Sequence, residues 1–172
     1  LEAGIAGGAD IILIPEIPYE NKYIIRAIEK RNAAGKRFSI LAVAEGAISK
    51  EDSLLTKKEL KAKLANRKYP SISYQLAEEL QTALGQEVRV TVPGHFQRGG
   101  SPCPFDRTLA TRLGAAAAQL VINKNYGNMV ALRGTDIVPV PLGEVAGKLK
   151  VVPKDSDIVQ AARQIGVSFG DC

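Results

Sequence analysis

Tryptophan is absent from this sequence, and its 172 residues include one histidine, one methionine and two cysteines. His95, Cys103 and Cys172 stand far apart with no C-x-x-C spacing, too few ligands for a structural zinc site, so no metal-ligating set is expected. No apolar run is long enough to cross a bilayer, which argues against membrane insertion. The sequence also lacks low-complexity tracts, internal repeats and a charged segment leading into an apolar signal, so the reducing cytoplasm is the expected location. Its basic residues are scattered, and its five tyrosines and four phenylalanines are not interleaved with Arg or Lys as stacking platforms, so nucleic acid is not an expected partner.

An apolar content of 45% is enough to bury a core, in one domain or in one domain plus part of a second. Lys and Arg number 23 against 18 Asp and Glu, a net charge of +5 that suits a phosphorylated metabolite, a nucleic acid or simply a soluble surface. The first residue is Leu1 in helix-like composition, from which an upstream portion is expected.

Apolar patterning orders the elements. DIILI at 10–14 is a short continuous run ended by Pro15, the pattern of a fully buried strand. Residues 19–34 carry Tyr23, Ile24, Ala27 and Ile28 between charges and stop at Gly35, which predicts an amphipathic helix. FSILAVA at 38–44 predicts a second buried strand and so a right-handed parallel βαβ unit. Thr56 and Glu59 form a capping box for a basic helix over 57–66, its lysine run read as a solvated face, and a further helix runs over 71–84 to Gly85. EVRVTV at 87–92 predicts a third strand, residues 106–122 a long helix, 129–132 and 137–140 short strands, and 156–165 a last helix capped by Ser156. The fold class expected is three-layer α/β, with a mainly parallel sheet flanked by helices.

In such sheets ligands gather beyond the carboxyl ends of the strands. Glu16 follows the first strand, Glu45 the second and the GHFQRGG loop (94–100) the third, so one pocket edge collects them. The loop's glycines allow close backbone approach. Arg98 has the planar fork that suits a phosphate, His95 adds a donor, and Glu45 can accept hydrogen bonds from sugar hydroxyls. The set describes a phosphorylated polyol. Two plainer readings stand beside it: His95 as a turn residue, and Arg98 with Glu45 as a structural ion pair. Asp106 and Arg107 read as the cap and first turn of the following helix, whose N-terminus can also attract a phosphate. Arg89 alternates with Val88, Val90 and Val92 and faces away from this edge, which predicts a contact with another subunit or a bound anion.

The segment GHFQRGGSPCPFDR (94–107), preceded by EVRVTV, resembles the fructose 6-phosphate-binding C-terminal part of the ATP-type phosphofructokinase family. AGIAGGADIILIPE (3–16) and LAVAEGA (41–47) extend the resemblance in family order, and PLGEV (141–145) extends it weakly, so that it covers most of the chain. It implies a phosphofructokinase-like fold of Rossmann-like halves, with residues 1–98 as the sugar-phosphate domain, 99–150 crossing into a nucleotide-binding domain and 151–172 returning as a C-terminal helix. It further implies that Glu45, His95 and Arg98 bind fructose 6-phosphate, and that Arg89 reaches the 6-phosphate in a neighbouring subunit's site of a homodimer or homotetramer.

The implied reaction is glycolytic phosphoryl transfer to the 1-hydroxyl of fructose 6-phosphate, using Mg2+ with ATP or pyrophosphate. Asp10 and Lys36 sit where bacterial relatives hold an allosteric effector, although Ala34 replaces a basic residue of that site. A helical insertion at about 51–75 and Pro93 depart from the short bacterial form and look like the clade that mixes ATP-using and pyrophosphate-using members. The family's glycine-rich donor loop and catalytic Asp have no counterpart in these residues, so no catalytic residue is assigned and the chain alone is expected to be inactive. Two rival classes remain at this point: a non-catalytic sugar-phosphate-binding or regulatory subunit, and a basic interaction module built on the inserted helices.

Overall fold

Ile11, Ile12 and Leu13 form the strand β1 (Ile11–Leu13) of a computed structural model that describes residues 1–172, and all three side chains are buried. β1 pairs in parallel with β2 (Leu41–Val43), with Ile11 opposite Leu41 and Leu13 opposite Val43. On its other edge the Ile12 N–H donates to the Ser168 carbonyl (2.9 Å) and the Ser168 N–H to the Asp10 carbonyl (3.0 Å). Ile11 and Leu13 face one way, onto Ile24, Ile28, Leu76 and Leu80. Ile12 and Ile14 face the other way, onto Val159, Ala162, Val167 and Phe169. A strand covered on both faces has no polar side, which is why the run reads as unbroken isoleucine and leucine and not as an alternation.

The covering helices give three layers. α1 (Glu2–Ala6) and α7 (Asp157–Gln164) serve one face of the parallel sheet, and α2 (Asn21–Ala33) and α4 (Ile72–Leu84) the other. α2 ends where Gly35 turns left-handed (φ 78°), and α4 ends at Gly85 (φ 63°), each at the expected glycine. α3 (Lys57–Ala65) starts with the predicted box: the Glu59 N–H donates to Thr56 Oγ1 at 3.3 Å, and the Thr56 N–H to Glu59 Oε2 at 2.8 Å. α3 buries no residue, so its lysines form a solvated face.

Three local expectations are corrected. Tyr19 does not open α2: it is buried and bridges to Ser49 in parallel, and burial followed by the Glu79 and Asp52 charges pushes its phenol above the ordinary value. Ser156 stands at the N-cap of α7, yet its Oγ is buried without a partner and makes no capping bond. EVRVTV forms no strand, and residues 86–92 make no backbone hydrogen bond. Val88 and Val90 are half-buried while Arg89 is exposed, so the alternation in the sequence records packing of alternate side chains without a ladder.

Cα proximity divides the chain into two compact units, Leu1–Thr91 with Val151–Cys172, and Val92–Lys150. The second holds α5 (Pro104–Ile122), starting two residues before its expected position, and an antiparallel hairpin of β3 (Asn128–Arg133) and β4 (Asp136–Pro141), followed by α6 (Leu142–Val145). No helix is long and apolar enough to cross a membrane. At the C-terminus Arg163 makes a two-pronged contact with Asp171 (2.9 and 2.6 Å) and lies over the Phe169 ring. Burial pushes the Asp171 carboxyl up, but its hydrogen bonds from Arg163 outweigh this and hold it below the usual carboxylate range.

Gly170 is left-handed (φ 72°), and a Cβ there would meet Tyr19 Cβ at 2.9 Å, whereas Gly35 (φ 78°) has open space around it. In urea denaturation Gly35→Ala is expected to cost about 1–2 kcal/mol from backbone strain alone. Gly170→Ala adds overpacking of roughly 1–3 kcal/mol. Equal losses for the two variants would contradict this packing.

Candidate substrate site

Parallel pairing puts the turns after β1 and β2 on one edge, and a Cβ on Gly46 would lie 3.1 Å from Pro15. Glu16 and Glu45 both stand on these turns. Glu16 Oε1 accepts the Val152 N–H at 2.9 Å, tying the returning C-terminal segment to the end of β1. Glu45 is exposed, makes no hydrogen bond or ion pair, and lines an open cavity of about 920 Å3 walled by α3 and α4.

His95 and Arg98 lie in the second unit, on a single 3-10 turn (Gly94–Arg98). Residues three apart eclipse on such a turn, so the two side chains leave from one face. Gly94 (φ 53°) and Gly100 (φ 100°) frame the turn with left-handed backbone. Both side chains are exposed and free of protein partners, so the guanidinium fork and the imidazole are available to a ligand. Glu45 and Arg89 belong to the other unit, and there they line different cavities.

The alternation around Arg89 predicts a contact with another subunit or a bound anion. Instead its Nε donates to Glu87 Oε1 at 2.8 Å, with 84% of its side chain exposed. Two residues along the chain and in open solvent, such a pair contributes little and exchanges readily for another anion. Asp10 is fully engaged: Oδ1 pairs with Arg31 Nη1 (2.7 Å) and Oδ2 accepts the Ile40 N–H (2.9 Å), joining α2 to the start of β2. Lys36 is exposed on the turn after α2. The Glu16 and Asp10 contacts join residues far apart in sequence and carry no local pattern that could have announced them.

After the His95–Arg98 turn, Cys103 caps α5 with Pro104 at its first position. The Cys103 N–H donates to Asp106 Oδ2 at 2.9 Å, and this contact holds the Asp106 carboxyl below its ordinary value. One donor at this N-terminus, the Cys103 N–H, is therefore already occupied by the chain's own carboxylate. Cys103 and Cys172 are free and exposed. The His, Cys, Asp and Glu side chains do not gather in threes around a common point that could hold a metal ion.

A parallel sheet between helical layers, with acidic turns on its carboxyl edge, defines an α/β protein of the class in which ligands gather beyond the strand ends. The chain matches the Phosphofructokinase family over residues 1–121, and it belongs to that family. It is 53% identical over 171 residues to the ATP-dependent 6-phosphofructokinase of Spirochaeta thermophila, covering 99% of this chain and 47% of that protein. It is 48% identical over 171 residues to the ATP-dependent 6-phosphofructokinase of Chloroflexus aggregans, covering 99% of this chain and 46% of that one. The chain thus spans about half the length of the curated relatives it matches. The solved phosphofructokinase of Saccharomyces cerevisiae superposes with a TM-score of 0.61 at 30% identity, over 83% of this chain and 18% of that chain. A pyrophosphate-dependent phosphofructokinase from Nitrosospira multiformis gives 0.65 at 15% identity, over 92% of this chain and 40% of its own, a likeness of fold alone.

The Asp106 contact has a pH signature. A depressed carboxyl contributes stability above its unfolded value, about 3.9, and loses it as pH falls through the lower folded value. A carboxyl carbon titration by NMR is expected to place the Asp106 midpoint below that reference, and Asp106→Asn is expected to fray the first turn of α5 at neutral pH but not at pH about 2. An unshifted midpoint would remove the cap from this account.

Proposed function

We propose that this chain is the fructose 6-phosphate-binding half of an ATP-dependent 6-phosphofructokinase. The parent enzyme passes the terminal phosphoryl group of ATP to the 1-hydroxyl of fructose 6-phosphate, giving fructose 1,6-bisphosphate and ADP, a step of glycolysis in the cytoplasm. What carries this reading is identity of 53% and 48% along 99% of the chain to proteins of that name. The same relatives favour ATP as donor, since the pyrophosphate-dependent neighbour shares only 15% identity and speaks for fold alone.

In this reading residues 1–98 hold the sugar phosphate, 99–150 cross into the nucleotide domain and 151–172 return. Arg98 takes the phosphate through its fork, His95 donates beside it from the same face of the turn, and Glu45 accepts from sugar hydroxyls. Arg89 exchanges Glu87 for the 6-phosphate in a neighbouring site, which makes a homodimer or homotetramer the working state. An effector at Asp10 and Lys36 would have to displace Arg31 from Asp10. Mg2+ accompanies ATP and belongs with the donor-binding half of the parent. In-line transfer depends on positioning and charge stabilisation, and this chain contributes the acceptor side of both.

In the full-length enzyme, Arg98→Ala is expected to raise the KM for fructose 6-phosphate about 10- to 100-fold with the KM for ATP unchanged, since a hydrogen bond to a charged group contributes about 1.5–3 kcal/mol. An unchanged KM would remove Arg98 from the site, and equal rates with pyrophosphate would overturn the donor assignment. The 172-residue chain by itself is expected to give no steady-state fructose 1,6-bisphosphate, and product formation would contradict the division of labour.

A further inference from the structure

The cavity beside Glu45 has features that sugar-phosphate binding does not use. Its volume, about 920 Å3, falls within the roughly 300–1,000 Å3 of small-molecule sites. Ile48, Leu60, Leu64 and Ile72 contribute apolar walls, and Leu64 keeps 42% of its surface exposed there. Three cations and four carboxylates line it: Lys63 pairs with Asp52 and Lys68 with Glu78, which leaves Arg67, Glu45 and Glu79 outside any ion pair. Glu79, also on the lining, accepts from Asn21 (2.6 Å) and Gln75 (2.8 Å). Arg67 is different. It is half-buried, on the stretch between α3 and α4, and its guanidinium has no carboxylate and no hydrogen-bond acceptor. A partly desolvated cation left without a partner beside apolar walls costs free energy that a bound anion would recover.

We propose that this cavity binds an amphipathic monoanion: a small molecule whose apolar body rests against Ile48, Leu64 and Ile72 and whose single acidic group pairs with Arg67. One unpaired cation calls for one negative charge. Glu45 on the rim and Glu79, which is held only by neutral amides, repel any further negative charge, so polyanions are discriminated against. The site lies on the helices that follow β2, and it stands whether or not His95 and Arg98 hold a sugar phosphate.

The test is a fluorescence titration of the full-length enzyme with 8-anilinonaphthalene-1-sulfonate, an apolar aromatic body carrying one sulfonate. Saturable binding at one site per chain is expected. Arg67→Ala should weaken it at least about tenfold, and Arg67→Lys, which keeps the charge, by about threefold or less. Leu64→Asp should abolish it, while Arg98→Ala and saturating fructose 6-phosphate should leave it unchanged. Circular dichroism melts of the variants show that each is folded. Binding unaffected by Arg67→Ala and Leu64→Asp, or no saturable binding at all, overturns the proposal. Displacement by fructose 6-phosphate would also overturn it, by making the cavity part of the sugar-phosphate site.

Discussion

The double burial of β1 organises the first unit. Its side chains face helices on both sides and its backbone is bonded on both edges, so no group on Ile11, Ile12 or Leu13 is left to water. Burying each such side chain contributes about 1.5–3 kcal/mol, and the gain accrues only if both helical layers are in place. Parallel pairing then has a geometric consequence: the turns after β1 and β2 emerge at the same edge, which brings Glu16 and Glu45 side by side without any contact between them being required.

Much of this was legible because its causes are local. The Thr56–Glu59 box and the glycines at 35 and 85 each act within a few residues, and each appears where the sequence places it. What the sequence did not disclose depends on distant partners. EVRVTV has the composition of a strand, but a strand exists only where a neighbouring backbone offers matched donors and acceptors, and none meets residues 86–92. Tyr19 looked like the first residue of an amphipathic helix until Ser49 bridged it, and Ser156 looked like a cap until its hydroxyl turned inward. The Glu16–Val152 bond spans 136 positions and has no sequence signature.

The candidate residues divide by what already satisfies them. Asp10 has both carboxylate oxygens engaged by Arg31 and Ile40, so its charge is spent on holding β2 to α2. His95 and Arg98 stand free on a turn whose glycines fix its shape at no steric cost, and their donors are left unengaged within the chain. Arg89 lies between these extremes, held by a solvent-exposed neighbour it can release. A formal charge in a sequence does not reveal whether a partner is already in place, so Asp10 and Arg98 could not be separated in this way before the structure was known.

The bond between Ser168 and β1 also bears on the order of folding. One edge of the central strand is supplied by residues at the far end of the chain, so β1 and β2 can pair early while the opposite edge stays open. Closing it requires the longest loop in the molecule, the kind of contact that slows folding, since entropy is lost before pairing compensates. Until that loop closes, the isoleucine-rich strand presents an unpaired edge, and the risk of mispairing between partly folded chains is greatest in that interval.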